Sequence, residues 1–283
     1  MSSGMSLAAK SNVYPLFASG RRTLREEWAA AAKGLPPQQA TNDPADLVAD
    51  AHIIQADAEK LTRRIAKALG GIAEMGPEKD LYRVLNKLKG KEDGKDISFN
   101  CDFSRSRVLL RNKTQIRNAL DMFAESGVVD LKDGTRILVR EVENNFSTFN
   151  KRKAGIANLD VKITFEFTTA TGEKSYHHHE LQFIPEQARD DYEASHDAYK
   201  RKRLAQIYRD GADNALAICG NEGDAHVWSK KWVQFDTDMK ASDAKRSAIH
   251  QEVRDRLGLD ELIGYQPCTS SKSKRLDISA LVL

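Results

Sequence analysis

Apolar positions along the chain follow two periods. From Pro44 they recur at Leu47, Ile53, Ile54, Ala58, Leu61 and Ile65, the three-to-four spacing of one helix face, with Asp43 placed to cap the start and Gly70-Gly71 to stop it. The segment from Leu159 to Phe167, LDVKITFEF, instead alternates residue by residue, as a half-buried strand does. Beyond a turn at Thr171-Gly172, the stretch from Tyr176 to Phe183 repeats the two-residue period. It puts Glu180 and Gln182 on one face and Leu181 and Phe183 on the other. Pro185 ends that strand, and the run from Glu186, rich in Ala, Arg, Lys and Glu, predicts a helix with His196, Tyr199, Lys200 and Arg203 on one face.

The remaining pattern is weaker but ordered. Arg21 to Lys33 predicts a short helix, and Pro77 starts another on which Lys79, Arg83 and Lys87 recur every four residues opposite Leu81, Val84, Leu85 and Leu88. DISFNCDFSRSRVLL predicts a strand with a bend near Ser104, carrying Asp102 and then Arg105 and Arg107. A helix is expected from Thr114 as N-cap to Ser126, closed by Gly127, with Ile116, Leu120 and Phe123 inward. A turn at Asp133-Gly134 and a strand from Arg136 to about Glu143 make a hairpin. Residues 211–238, which hold Trp228 and Trp232, read as mixed, and Ala241 to Leu257 reads as a helix. This order gives an α+β class with a mixed, largely antiparallel sheet flanked by helices. Three parts are expected: an N-terminal extension (1–42) without chemistry, a core domain (43–210) and a C-terminal extension (211–283).

Composition narrows the functional classes. With 283 residues, 40% of them hydrophobic, a sizeable core is available. A formal net charge of +3 carries no global excess for nucleic acid or membrane, so the positive charge is local. Cys101, Cys219 and Cys268 lack metal-ligand spacing and suit a reducing compartment. No apolar run approaches the ~20 residues of a membrane span, and no signal core opens the chain. A cytoplasmic protein without a membrane partner is expected, with secretion as an effector the other route. His177, His178 and His179 alternate faces on their strand, which argues against one shared metal.

Lys79 with Lys87, Asp102 with Arg107, Glu180-Leu181-Gln182, and His196 with Tyr199 occur in an order and at spacings that resemble the synthetase domain of RelA/SpoT-type alarmone synthetases. The resemblance spans roughly residues 60–205 and includes the divergent toxin and effector members of that group. It implies a nucleotidyltransferase-like synthetase fold with helical extensions and transfer of pyrophosphate from ATP, with Mg²⁺, to a ribose hydroxyl. Asp102 and Glu180 would be the catalytic acids and the metal ligands. Lys79, Arg83, Lys87, Arg105, Arg107, Gln182, His196, Tyr199, Lys200 and Arg203 would hold ATP and its phosphates, the last two by helical phase. The acceptor, a guanosine or adenosine nucleotide, would meet Gly155, Ile156 and Asn158.

Two departures set this chain apart. The family places a tyrosine after the glycine to stack on the acceptor base, where Ile156 stands here, and an arginine after Glu-x-Gln, where Ile184 stands two positions beyond Gln182. Phe146, Phe149 and Tyr176 are the rings near enough in sequence to replace the missing platform. The basic loop with Lys151, Arg152 and Lys153 instead suits an RNA acceptor, because cationic contacts to phosphate dominate such binding. A nucleotide- or RNA-binding module without catalysis is the alternative from a different class.

Overall fold

A computed structural model of the chain describes residues 21–77, 81, 97–131, 136–148, 155–220 and 222–267. Six strands form one open sheet: β1 (Ile72–Met75), β2 (Ser104–Leu110), β3 (Gly127–Asp130), β4 (Arg136–Asn144), β5 (Leu159–Thr168) and β6 (Lys174–Pro185). Their spatial order is β1-β2-β6-β5-β4-β3. Only the β2–β6 pairing is parallel; the other four are antiparallel. The architecture is therefore α+β, a mostly antiparallel sheet flanked by five described helices.

Those helices are α1 (Leu24–Ala32), α2 (Pro44–Leu69), α3 (Lys113–Met122), α4 (Arg189–Ile218) and α5 (Glu222–Leu257). Asp43 caps α2 by accepting from the Ala45 and Asp46 amides at 2.7 and 3.3 Å. Gly70 ends that helix at φ 70°, a left-handed turn that costs a glycine little. On one face of the sheet, Leu61, Ile65 and Leu69 of α2 and Ile116 and Leu120 of α3 meet Val108, Val161, Leu181 and Phe183 from the strands in one buried cluster. The same face carries a polar seam. His179 sits between the Ser104 and Ser106 hydroxyls, 2.7 Å from each, and Ser106 meets Thr62 of α2 at 2.8 Å.

Several expectations shift. The strand anticipated around Asp102 begins only at Ser104, because Ile97–Phe99 forms a 3-10 turn; Asp102 lies in the loop that enters β2. The α3 cap is Asn112, whose side chain accepts from the Gln115 amide at 2.9 Å, so Thr114 is already inside the helix. That helix stops at Met122, and Gly127 opens β3 instead of closing a helix. Strand β1 was not expected. The charged helix expected after Pro77, with Lys79, Arg83 and Lys87, lies outside the described residues, as does the loop with Lys151, Arg152 and Lys153.

Beyond Tyr208 the difference is largest, since residues 211–218 and 222–238 are helical and the boundary expected at 210 falls inside α4. Helices α4 and α5 run antiparallel, tied by Lys202–Asp243 at 2.9 Å and by Tyr208 against Phe235 at 5.3 Å between ring centroids. They bury much of their apolar surface only against each other and leave Leu204, Ile207, Val227 and Val233 exposed. A long hairpin of this kind needs no strong apolar stripe, which is why the helical period faded there. No helix among the described residues is long and apolar enough to cross a membrane.

Candidate active site

The other face of the sheet is polar, and strand register decides what meets on it. Arg105 of β2 is level with Glu180 of β6, Glu180 with Lys162 of β5, and Lys162 with Glu141 of β4. This row alternates in sign, so each charge neighbours its opposite. A second row places Arg107 beside Gln182 and Gln182 beside Asp160. A bulge between Val139 and Glu141 inserts Arg140 into β4, and its guanidinium donates to Glu27 of α1 at 2.7 Å.

Glu180 forms the wall of a cleft of about 570 Å³. Asp102 and Cys101 enter from the loop before β2, Lys162 and Glu141 from the neighbouring strands, and Pro36 and Pro37 from the segment after α1. The two acids expected from the sequence thus share one cavity, although one precedes β2 and the other lies within β6. The Lys162 ammonium stands 3.0 Å from a Glu180 carboxylate oxygen, with both side chains largely buried. Burial opposes the charge on Lys162, but Glu180 and Asp160 outweigh it and hold the ammonium above its usual range. Burial pushes the Cys101 thiol up to about 12, which makes it a poor nucleophile at neutral pH.

Sequence reasoning missed Lys162, Glu141 and the two prolines. The N-terminal extension, expected to carry no chemistry, supplies part of the cleft wall and anchors the strand beside it. Glu27, fully buried, takes Arg22 at 2.6 Å, Arg140 at 2.7 Å and His178 at 3.2 Å, while the Gln39 amide oxygen accepts from the His178 backbone at 2.8 Å. Charge and hydrogen-bond partners of this kind are invisible until the segment is laid on the sheet.

Helix α4 brings the next group of expected residues to the sheet's edge. Arg107 pairs with Glu193 at 2.8 Å and Arg189 with Glu74 of β1 at 2.9 Å. His196 lies 6.3 Å from the Tyr199 ring, and burial, then Lys200 and Arg105, keep its imidazole below the ordinary range. Lys200 is held by Asp197 at 3.0 Å, an exposed pair that a phosphate can replace at small cost. Tyr199 also carries two guanidiniums, Arg203 at 5.8 Å and Arg246 of α5 at 5.2 Å. Arg246 belongs to the C-terminal extension and was not expected.

Of the residues expected on the acceptor side, Asn158 and Gly155 are engaged internally. Asn158 is buried, accepting from Asn145 at 2.9 Å and donating to Asp160 at 2.7 Å. Gly155, at φ 73°, presents its carbonyl to the buried Arg254 of α5 at 2.9 Å, and the same guanidinium reaches the Asn145 carbonyl at 2.6 Å. The Tyr192 hydroxyl of α4 donates to the Ala157 carbonyl. Ile156 is half-buried, and Phe146 and Tyr176 are fully buried, so neither ring offers a stacking surface; Phe149 lies outside the described residues. Arg254→Met should therefore remove a charged donor from two buried carbonyls and lower stability by about 3 kcal/mol, read as a shifted urea midpoint at unchanged slope.

No protein-family model matches the chain, and no curated protein matches it in sequence. Among solved structures it is similar to the small alarmone synthetase 1 of Bacillus subtilis bound to its product pppGpp, at 12% identity over 74% of this chain and 94% of that one, TM-score 0.37. The same enzyme bound to AMPCPP is matched at 10% identity over 74% and 94%, TM-score 0.36. The Type VI effector Tas1, in complex with its immunity protein, is matched at 13% identity over 70% and 96%, TM-score 0.33.

Proposed function

We propose that this chain transfers pyrophosphate from ATP to a ribose hydroxyl of a nucleotide, as an Mg²⁺-dependent pyrophosphokinase with a diverged acceptor side. The observation that carries this reading is the cleft in which Asp102 and Glu180 meet, with Arg105 and Arg107 on the same sheet face. Hard carboxylate oxygens suit Mg²⁺, which takes one or two carboxylates together with phosphate and water. Among the described residues no group of three His, Cys, Asp or Glu side chains could hold a metal, so the remaining ligands would come from the phosphates and solvent. Bound between Asp102 and Glu180, the ion would neutralise phosphate charge as it develops.

The protein's own groups divide the rest of the work. Glu180 accepts the proton of the attacking ribose hydroxyl; the oxygen forms a bond to the β-phosphorus as the bond from that phosphorus to the α-phosphate oxygen breaks, and AMP leaves. Arg105 and Arg107 meet phosphate charge from β2, and the His196, Tyr199, Lys200 and Arg203 face extends that basic surface along α4. Incubation with ATP, Mg²⁺ and a panel of GDP, GTP, ADP, AMP, adenosine and tRNA should release AMP with at least one acceptor. No AMP with any of them would leave a binding module.

The acceptor side yields its own expectation. Stacking on an aromatic platform is worth ~1–3 kcal/mol per base, or about one to two orders of magnitude in affinity. Guanosine nucleotides should therefore be poor acceptors, and Ile156→Tyr should improve them at least about fivefold at unchanged ATP affinity. An RNA acceptor would show itself differently, by activity that falls steeply with added salt and is indifferent to Ile156→Tyr.

A further inference from the structure

The cleft contains a charge arrangement that the proposed reaction does not require. Among the described residues, three carboxylates line it, Asp102, Glu141 and Glu180, and the lining supplies a single cation, Lys162. That cation is spent on Glu180, one of the two acids assigned to the metal, at 3.0 Å. Strand register gives Lys162 a second carboxylate on its other side, since Glu141 of β4 is its cross-strand partner and lines the same cleft. A lysine stem with four rotatable bonds can turn from one strand neighbour to the other without moving the backbone.

Resting on the assignment of the metal to Asp102 and Glu180, we propose that Lys162 is a resident counter-cation that a divalent ion must displace from Glu180, the ammonium then passing to Glu141 and to the incoming phosphates. Two cations cannot share one carboxylate at contact distance in a part-buried site without strong repulsion, because unit charges about 4 Å apart interact by several kcal/mol at an effective dielectric constant near 20. Free metal is consequently disfavoured. A metal that arrives with a polyphosphate is favoured, because the released ammonium gains a negative partner. Lys162 thus couples metal and nucleotide, and the site discriminates for the metal–nucleotide complex over either component.

Mn²⁺ binding to the full chain, followed by the electron paramagnetic resonance signal of the free ion, tests this without reference to turnover. Wild-type protein should bind Mn²⁺ weakly alone and about tenfold more tightly with an α,β-methylene ATP analogue. Lys162→Met should bind Mn²⁺ about tenfold more tightly than wild type in the absence of nucleotide, and should lose most of the tightening by the analogue; Lys162→Arg should behave as wild type. Glu141→Gln, a change at an exposed side chain, keeps the test readable if the Lys162 variants fail to fold, and should weaken Mn²⁺ binding two- to fivefold. Equal Mn²⁺ affinity in wild type, Lys162→Met and Glu141→Gln would overturn the counter-cation role while leaving the metal site standing. Mn²⁺ binding that is absent throughout, or unchanged by Glu180→Gln, would overturn the metal assignment and this inference with it.

Discussion

Glu180→Gln should reduce turnover by about a thousandfold while ATP affinity measured without divalent metal changes by no more than about threefold. General-base catalysis commonly contributes between ~10² and ~10⁴, and an amide cannot take the hydroxyl proton. The substitution keeps the shape of the side chain and retains an oxygen to receive the Lys162 ammonium, so the β5–β6 pairing around it should persist. AMP release measures the first quantity and equilibrium binding of a non-cleavable ATP analogue the second. Arg107→Ala should give the opposite division, raising the ATP requirement more than it lowers turnover, because on the proposed reading its guanidinium, on the same sheet face as Glu180, would meet phosphate before chemistry begins. Wild-type turnover in Glu180→Gln would remove Glu180 from the chemistry altogether.

Acid should unfold the protein below pH 6.5. His177, His179 and His250 are buried, and burial holds all three imidazoles below their ordinary value, to about 3 for His179 and about 4 for His250. Their folded values are lower than the unfolded one near 6.5, so the unfolded chain binds more protons as pH falls. The stability they represent is complete above about pH 6.5 and is lost as pH drops toward the folded values. Each group contributes a slope of roughly 1.4 kcal/mol per pH unit, so the three together contribute about 4. Against a total stability of about 5–15 kcal/mol, that predicts loss of structure within about one to four pH units. Circular dichroism against pH measures the midpoint. His177, whose ring nitrogens have no hydrogen-bond partner among the described residues, packs its ring edge-on at 6.2 Å from Phe103. His177→Phe should remove about a third of the slope and move the midpoint to lower pH. Unchanged stability down to pH 4 would show that these imidazoles are not neutral in the fold.

The run His177-His178-His179 marks how far the sequence could be read. Alternation along Tyr176 to Phe183 was enough to place His177 and His179 on one face and His178 on the other, and to turn Glu180 and Gln182 away from the core, because strand side chains have a fixed period of two. It could not show that His178 would be buried against Glu27, since that partner lies in a segment whose sequence gives no sign of packing on the sheet. Asp102 was expected within a strand and lies instead in the loop that enters β2. Its β-prone neighbours carried a local preference that the 3-10 turn at Ile97–Phe99 overrides.

What the sequence determined by itself is local and periodic: the span of α2 with its Asp43 cap and Gly70 stop, the strands β4, β5 and β6, the turn between the last two, the presence of a helix after Pro185, though it starts at Arg189 behind a 3-10 turn and not at Glu186, and the face on which Glu180 lies. Tertiary structure alone decided which strands stand side by side and in what register. That register places Lys162 between Glu180 and Glu141, seats Pro36 and Pro37 against the cleft, and brings Arg246 and Arg254 of α5 to Tyr199 and to the loop at Gly155. The physical reason is range. Helical and strand periods arise from neighbours a few residues apart, whereas a charge on β5 finds its counter-charge on β6 only after sheet order and register have been chosen by burial of the opposite, apolar face.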